Sequence, residues 1–211
     1  MLQHLEAVLR FSKRKNLTGI TSIEDGKVLH IEDSLAVLPE LAEAPEGRLA
    51  DLGSGAGYPG IPLALASGRK TILIEANKKK AAFLNDFLVE HGLIAQIIVA
   101  NQRSEELVGE ASQCAAVTVR AVAALPVLLE LATPLLVPKG HVIALKGRPD
   151  QTEIERGLQA AELLGLSLFS EREYTLSDGK SKRCVLVFEK TGETALSLPR
   201  KPGMAEKRPL A

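Results

Sequence analysis

The chain has 211 residues, 45% apolar and 25% charged, which suits one globular domain with short extensions. Lys plus Arg equals Asp plus Glu at 26 each, so no global field draws in a polyanion, and with aromatics at 3% and no Trp a binder that stacks bases on several rings is disfavoured. Cys114 and Cys184 lie far apart without metal-ligand spacing, Met1 to Phe11 reads as no secretory signal, and no apolar run approaches a bilayer span; the expectation is a cytoplasmic protein with no bound metal and no membrane contact.

Leu2, Leu5, Val8 and Leu9 recur at helical spacing and predict an opening amphipathic helix. It ends in a basic cluster, Arg10, Lys13, Arg14 and Lys15, a candidate RNA contact. Asn16 and Thr18 read as turn and cap residues. Behind Thr21-Ser22, a plausible cap, a second helical region is expected to run to about Leu41 with Gly26 as its weak point. His30 lies on it with Asp33 and Ser34 at helical spacing; a place near an RNA pocket and an ordinary helix-surface or core histidine fit equally well. Pro45-Glu-Gly47 marks a boundary, so residues 1–47 form a helical lead-in.

From Arg48 onward short apolar runs at 48–52, 70–75, 96–100, 115–119 and 141–146 alternate with helical patterns at 61–66, 78–91, 104–109, 125–136 and 152–163. Such alternation means βαβ units and a parallel sheet with helices on both faces. Two longer runs, 166–176 and 182–190, then follow without a helix between them, joined by the turn Ser177-Asp178-Gly179-Lys180. Seven strands, mostly parallel with an antiparallel last one, are similar to the α/β class I S-adenosylmethionine-dependent methyltransferase (Rossmann-like) architecture, here over residues 48–190. Residues 191–211 read as a basic tail with Arg200, Lys201, Lys207 and Arg208, too polar for core and suited to an RNA clamp that orders on binding.

The string Arg48-Leu-Ala-Asp-Leu-Gly-Ser-Gly-Ala-Gly57 carries the chemistry. Gly53, Gly55 and Gly57 let the backbone turn sharply at a strand end and approach a ligand closely. The amino-acid end of S-adenosylmethionine can lie across that turn, with Asp51 or backbone groups meeting its ammonium. Glu75, at the end of the second strand, can bind both ribose hydroxyls. A rival exists in the same residues: Gly55-Ala-Gly57-Tyr-Pro-Gly60 fits the dinucleotide fingerprint G-x-G-x-x-G. That triplet begins three residues late, Pro59 and Pro62 stiffen the place where a long helix should receive a pyrophosphate, and the chain ends in a hairpin rather than a second mononucleotide half. The methyl donor is favoured.

For the acceptor, neither cysteine has the Pro-flanked context of a nucleophile that attacks pyrimidines, and Cys184 reads as a buried thiol in a strand. Val119-Arg-Ala121 replaces the Asn/Asp-Pro-Pro-aromatic loop used on exocyclic amines. Ring-nitrogen acceptors are among what remains. Arg120 and Lys146 follow the fourth and fifth strands at the carboxyl edge and are the candidate catalytic residues. A methyltransferase for another RNA or a small molecule, and a non-catalytic nucleotide-binding module, stay open on these residues alone.

Several strings together resemble the RsmG (also called GidB) family of bacterial guanine-N7 methyltransferases acting on 16S ribosomal RNA: Asn16-Leu-Thr18, His30-Ile-Glu-Asp-Ser-Leu35, Asp51 to Pro62, Lys79-Lys80 with Phe83-Leu84, Arg103-Ser-Glu-Glu106, Arg120-Ala121, Lys146-Gly147, Pro199-Arg-Lys-Pro-Gly203 and Lys207-Arg-Pro-Leu210. The resemblance implies methylation of N7 of guanine 527, with free 16S rRNA or the 30S subunit as partner; a monomer is expected. It implies cofactor contacts at Gly53, Tyr58, Ser104, Glu105 and Arg120. Val119 stands where the family often has Ser, and the N-terminal extension is shorter than in many members, which shifts docking toward Arg10–Lys15.

Overall fold

The computed structural model describes residues 1–15, 17–107, 113–120 and 122–211, the side chain of Arg14 excepted. Among positions singled out above, Asn16, Ala121, the Arg14 side chain and the end of the helical pattern at 104–109 lie outside the described residues.

Helix α1 (Leu2–Lys15) buries Leu5, Val8 and Leu9 and leaves Arg10, Lys13 and Lys15 exposed, as its apolar spacing requires. Ser22 caps α2 (Ile23–Gly26), its hydroxyl accepting from the Asp25 amide at 3.0 Å. The helix expected to run on to Leu41 is not continuous. Lys27–Glu32 widens into a π-helical turn, α3 (Asp33–Leu35) closes it, and α4 (Leu38–Glu43) starts afresh. Pro39 has no N–H to give to the preceding turn and is tolerated only near a helix start, so it ends one helix and begins the next. Gly26 is a close-packing point rather than a weak one: a Cβ there would lie 2.5 Å from Leu5 Cδ1.

The described residues form a sheet of seven strands: β1 (Leu49–Leu52), β2 (Thr71–Ile74), β3 (Ile97–Ala100), β4 (Cys114–Arg120), β5 (Leu136–Lys146), β6 (Leu166–Thr175) and β7 (Lys182–Lys190), in the order β3-β2-β1-β4-β5-β7-β6. The first five pair in parallel, and β7 runs antiparallel between β5 and β6. β5 begins five residues before the apolar run starts. Leu136 pairs with Cys114, the Pro138-Lys139-Gly140 segment bulges out with Lys139 at φ 63°, and pairing resumes at His141 opposite Ala116.

Alternation along the strands sorts the core. Ala50, Leu52, Val117, Val119, Val142, Ala144, Leu186 and Phe188 face α7 (Leu125–Ala132) and α8 (Gln151–Leu163). The opposite phase packs Leu49, Ala116, Ile143 and Val185 against Val37, Leu41 and Leu63, the last from α5 (Gly60–Ser67), while Leu73 and Ile97 meet α1 and α6 (Lys78–Glu90) through Val8, Leu84 and Phe87. Each buried Leu, Ile or Phe of this kind contributes about 1.5–3 kcal/mol. The strand order reverses at β1, between β2 and β4, which opens a crevice at the carboxyl ends of those strands. No helix among the described residues is long and apolar enough to cross a membrane.

Candidate cofactor and substrate site

The glycine loop lies at that crevice. Gly53, Gly55 and Gly57 all have positive φ, at 72°, 56° and 91°. The amides of Gly53 and Ser54 donate to the Ile74 carbonyl at 2.9 and 3.1 Å, and Gly57 donates to Ser54 at 2.7 Å, so the loop is closed on itself and on β2. Around a Cβ built on Gly55 the nearest atom is the Gly53 carbonyl oxygen at 3.8 Å, so one side of the loop is open at that residue. Gly57 has no such room, because Ile61, Leu84 and His4 lie within 3.0 Å of its Cβ position.

Glu75, at the end of β2, is buried and turned toward the loop. Its Oε2 accepts from the Gly55 amide at 2.8 Å and its Oε1 from the Asn77 amide at 2.7 Å. A carboxylate has about four acceptor positions, so two amides leave capacity for hydroxyl donors. The Asp51 carboxylate is buried beneath the loop, with Oδ2 accepting from the Gly60 amide at 3.0 Å and Oδ1 from the Thr118 hydroxyl at 3.2 Å. It braces the loop against α5 and β4, and burial, outweighing those bonds, pushes its pKa up to about 6.

Arg120 ends β4 and gathers the lead-in around the loop. Nη1 donates to the Leu29 carbonyl and to Asp33 Oδ2, both at 3.2 Å, and the guanidinium carbon lies 5.7 Å from the centre of the Tyr58 ring. Nη2 points to His30 Nδ1 at 3.4 Å. A guanidinium only donates, so Nδ1 accepts, and the proton on Nε2 goes to the Thr18 hydroxyl at 3.0 Å. His30 stacks on Tyr58 with centroids 4.4 Å apart and planes 3° apart. Burial and the neighbouring Arg120 hold its pKa down, to about 4, so the imidazole is neutral at neutral pH. It belongs to the π-helical turn and is largely buried.

A cleft of about 410 Å³ opens beside this cluster, lined among others by Ile20, His30, Asp33, Arg120, Lys146 and Arg183. Lys146 is committed locally: Nζ pairs with Glu153 Oε1 at 2.6 Å and donates to the Ala123 carbonyl at 3.0 Å, tying the β4–α7 connection to α8. Ser104 is buried in a 3₁₀ turn (Ser104–Glu106) after β3, and Glu105 there reaches the tail, its Oε1 accepting from the Gly203 amide at 3.0 Å.

The tail is not a free clamp, which corrects the expectation of a segment too polar to pack. Leu198, Leu210 and Ala211 lie against the α7–α8 core, and Ala205 of α9 (Met204–Lys207) is buried. Arg200 forks onto buried Glu130, with Nε at 2.6 Å from Oε1, and also reaches the Arg208 carbonyl at 2.8 Å. Lys201, Lys207 and Arg208 are exposed. So are Arg10, Lys13 and Lys15 on α1, with the Lys15 ammonium 5.9 Å from the Phe11 ring centre.

Three further residues hold this site; sequence reasoning noted Asp33 beside His30 but gave no site role to Asp33, Arg183 or His4. Asp33 is buried between Arg120 and Arg183. Arg183 lines the cleft. His4, on α1, donates through Nε2 to the Ala56 carbonyl at 2.8 Å and packs against Tyr58 and Phe87, clasping the glycine loop from outside. A lone His on an apolar helix face gives no sign of such a role; Asp33 did show, as a carboxylate at helical spacing from His30.

Comparison with known proteins places these features in context. The model of the family described as GidB, rRNA small subunit methyltransferase G, matches residues 1–184. A ribosomal RNA small subunit methyltransferase G of Rubrobacter xylanophilus is 38% identical, over 100% of this chain and 83% of that protein. One of Alkaliphilus metalliredigens is 33% identical, over 100% and 89%. Among solved structures, the 1,6-didemethyltoxoflavin-N1-methyltransferase of Burkholderia thailandensis, with S-adenosylhomocysteine bound, superposes with a TM-score of 0.63 over 91% of each chain at 14% identity, a likeness of fold.

Proposed function

The chain belongs to the GidB family of small-subunit rRNA methyltransferases, and from that membership and the site we propose that it methylates N7 of a guanine in 16S ribosomal RNA, guanine 527, with S-adenosylmethionine as donor. When bound, that cofactor supplies a methyl group carried on a sulfonium. The residues present fit it: the open side of Gly55 admits a ligand against the backbone, and Glu75 retains acceptors for ribose hydroxyls. Ser104 and Glu105 sit in the turn that follows β3, and Tyr58 packs beside Arg120, which lines the cleft; these supply the remaining candidate contacts.

One observation carries the acceptor. The carboxylate lining the cleft, Asp33, is taken up by two guanidiniums, and the histidine lining it, His30, has both ring nitrogens committed. Such a cleft positions a nucleophile and offers no free base. A ring nitrogen with a lone pair suits it, since no proton leaves on methylation and catalysis is orientation and electrostatics. An exocyclic amine, which must lose a proton, suits it less.

The test is methyl transfer from labelled cofactor to 16S rRNA and to 30S particles that lack the modification, with the product mapped by mass. N7-methylguanosine at guanine 527 is expected. Methylation confined to other nucleotides rejects the acceptor, and tight NAD uptake without cofactor binding rejects the whole assignment.

A further inference from the structure

The cleft holds more positive charge than its architecture requires. Asp33 is 3% exposed, and its carboxylate receives Arg120 Nη1 at 3.2 Å, Arg183 Nε at 3.0 Å and the Tyr174 hydroxyl at 3.4 Å. Compensating one buried carboxylate takes one cation, so the second guanidinium is in excess. Lys146 does not alter the count, because Glu153 answers it.

The two arginines are not equivalent. Arg120 is spent on Leu29, Asp33 and His30. Arg183 holds Asp33 through Nε and the Lys182 carbonyl through Nη1 at 3.0 Å, and its Nη2 has no hydrogen bond among the described residues. Its side chain is 21% exposed and lines the cleft, where β7 passes from the exposed β6–β7 turn into the sheet. Lys180 on that turn and Lys182 at the start of β7 are exposed, and the turn is pinned to the lead-in by the Ser177 amide donating to Glu32 at 2.6 Å. A guanidinium fixed at one edge with a donor open at the other is preorganised for an anionic oxygen.

We propose that Arg183 binds a backbone phosphate of the substrate RNA, so that the strand reaches the cleft over the β6–β7 turn and Lys180 and Lys182 accompany it. This rests on the rRNA reading above. A phosphate fits better than the N7 edge of the base, because a ring that becomes cationic on methylation is poorly served by a guanidinium, whereas a phosphate keeps its charge throughout.

Arg183→Gln tests it, since Asp33 keeps Arg120 and Tyr174 and the fold has no orphaned charge. In rRNA methylation at several salt concentrations, R183Q should raise KM for RNA about tenfold, leave kcat and cofactor Kd within about twofold, and make the salt dependence of RNA binding shallower by about 0.7 in slope, the share of one phosphate on a single strand. R183K, which keeps the charge, should restore the slope. On the unaltered protein, RNA but not S-adenosylhomocysteine should slow reaction of Arg183 with phenylglyoxal. An unchanged KM, a raised KM with the original slope, or an arginine that RNA does not shield overturns the proposal. An unaltered protein that methylates no rRNA overturns the reading beneath it, a result distinct from active R183Q.

Discussion

Asp51 shows how far a single residue can be understood from its neighbours in sequence. Its place two residues before Gly53 marks it as part of the loop, but which way its carboxylate turns depends on Thr118, 67 positions later, and on the Gly60 amide. Burial raises its pKa from 3.8 to about 6. The sign follows: the native carboxyl holds its proton more tightly than the unfolded one, so its contribution to stability declines as pH rises from about 4 through about 6. Two pH units correspond to about 3 kcal/mol. Asp51→Asn keeps an acceptor for Gly60 and has no charge to bury, so the stability of D51N relative to the unaltered protein should climb across that window and level off above it. Urea unfolding of both proteins at several pH values from 4 to 8 measures this, and a difference that ignores pH would contradict the buried placement.

At the scale of elements, short apolar runs were enough to read the five parallel strands, and alternating runs the final hairpin, because the central strands are covered on both faces while the edge strand β6 exposes one. The same logic located α1, α6 and α8. It failed where period and position part company. A π-helical turn at Lys27–Glu32 has no 3.6-residue sign of its own, and the start of β5 hides behind a proline and a glycine that read as loop. The glycines of the loop were legible as a group but not as individuals, since what each one tolerates depends on packing from other elements. Gly60 has Leu73 Cδ2 at 2.4 Å and Asp51 Oδ2 at 2.6 Å from its Cβ position, in rigid core; Gly55 has open space and a φ that an L-residue adopts at a cost of about 1–2 kcal/mol. Gly60→Ala should therefore cost about 2–3 kcal/mol or more through overpacking. Gly55→Ala should fold nearly normally yet bind cofactor at least tenfold more weakly. Thermal melts beside cofactor titrations separate the two, and a G55A protein with unchanged affinity would remove the loop's open side from the binding site.

For the molecule as a whole, zero net charge conceals a division of labour among its arginines. Some are exposed or have donors to spare, as at Arg10 and Arg183; others are structural, and Arg200 is the clearest of these, a quarter exposed and forked onto a Glu130 that is 4% exposed. Its place near the start of a basic, proline-rich segment gave it the look of an RNA contact, because nothing near it in sequence announces that Glu130, an acid on the otherwise apolar helix α7, needs a partner. The pairing fastens the tail to the body, where Gly203 reaches Glu105 in the turn after β3. Removing Arg200 alone leaves a buried carboxylate uncompensated, for which about 3–5 kcal/mol is typical, and with partial exposure about 2–3 kcal/mol is expected here. In a chain of this length that lowers Tm by roughly 4–12 °C. Removing both charges leaves no orphan, so a protein carrying Arg200→Gln and Glu130→Gln together should recover most of the loss. Calorimetric melts of the two single variants and the double decide it. If R200Q melts with the unaltered protein, the tail is not fastened by this pair; if the double is as unstable as the worse single, the fork itself, and not the lone buried charge, sets the stability of the docked tail.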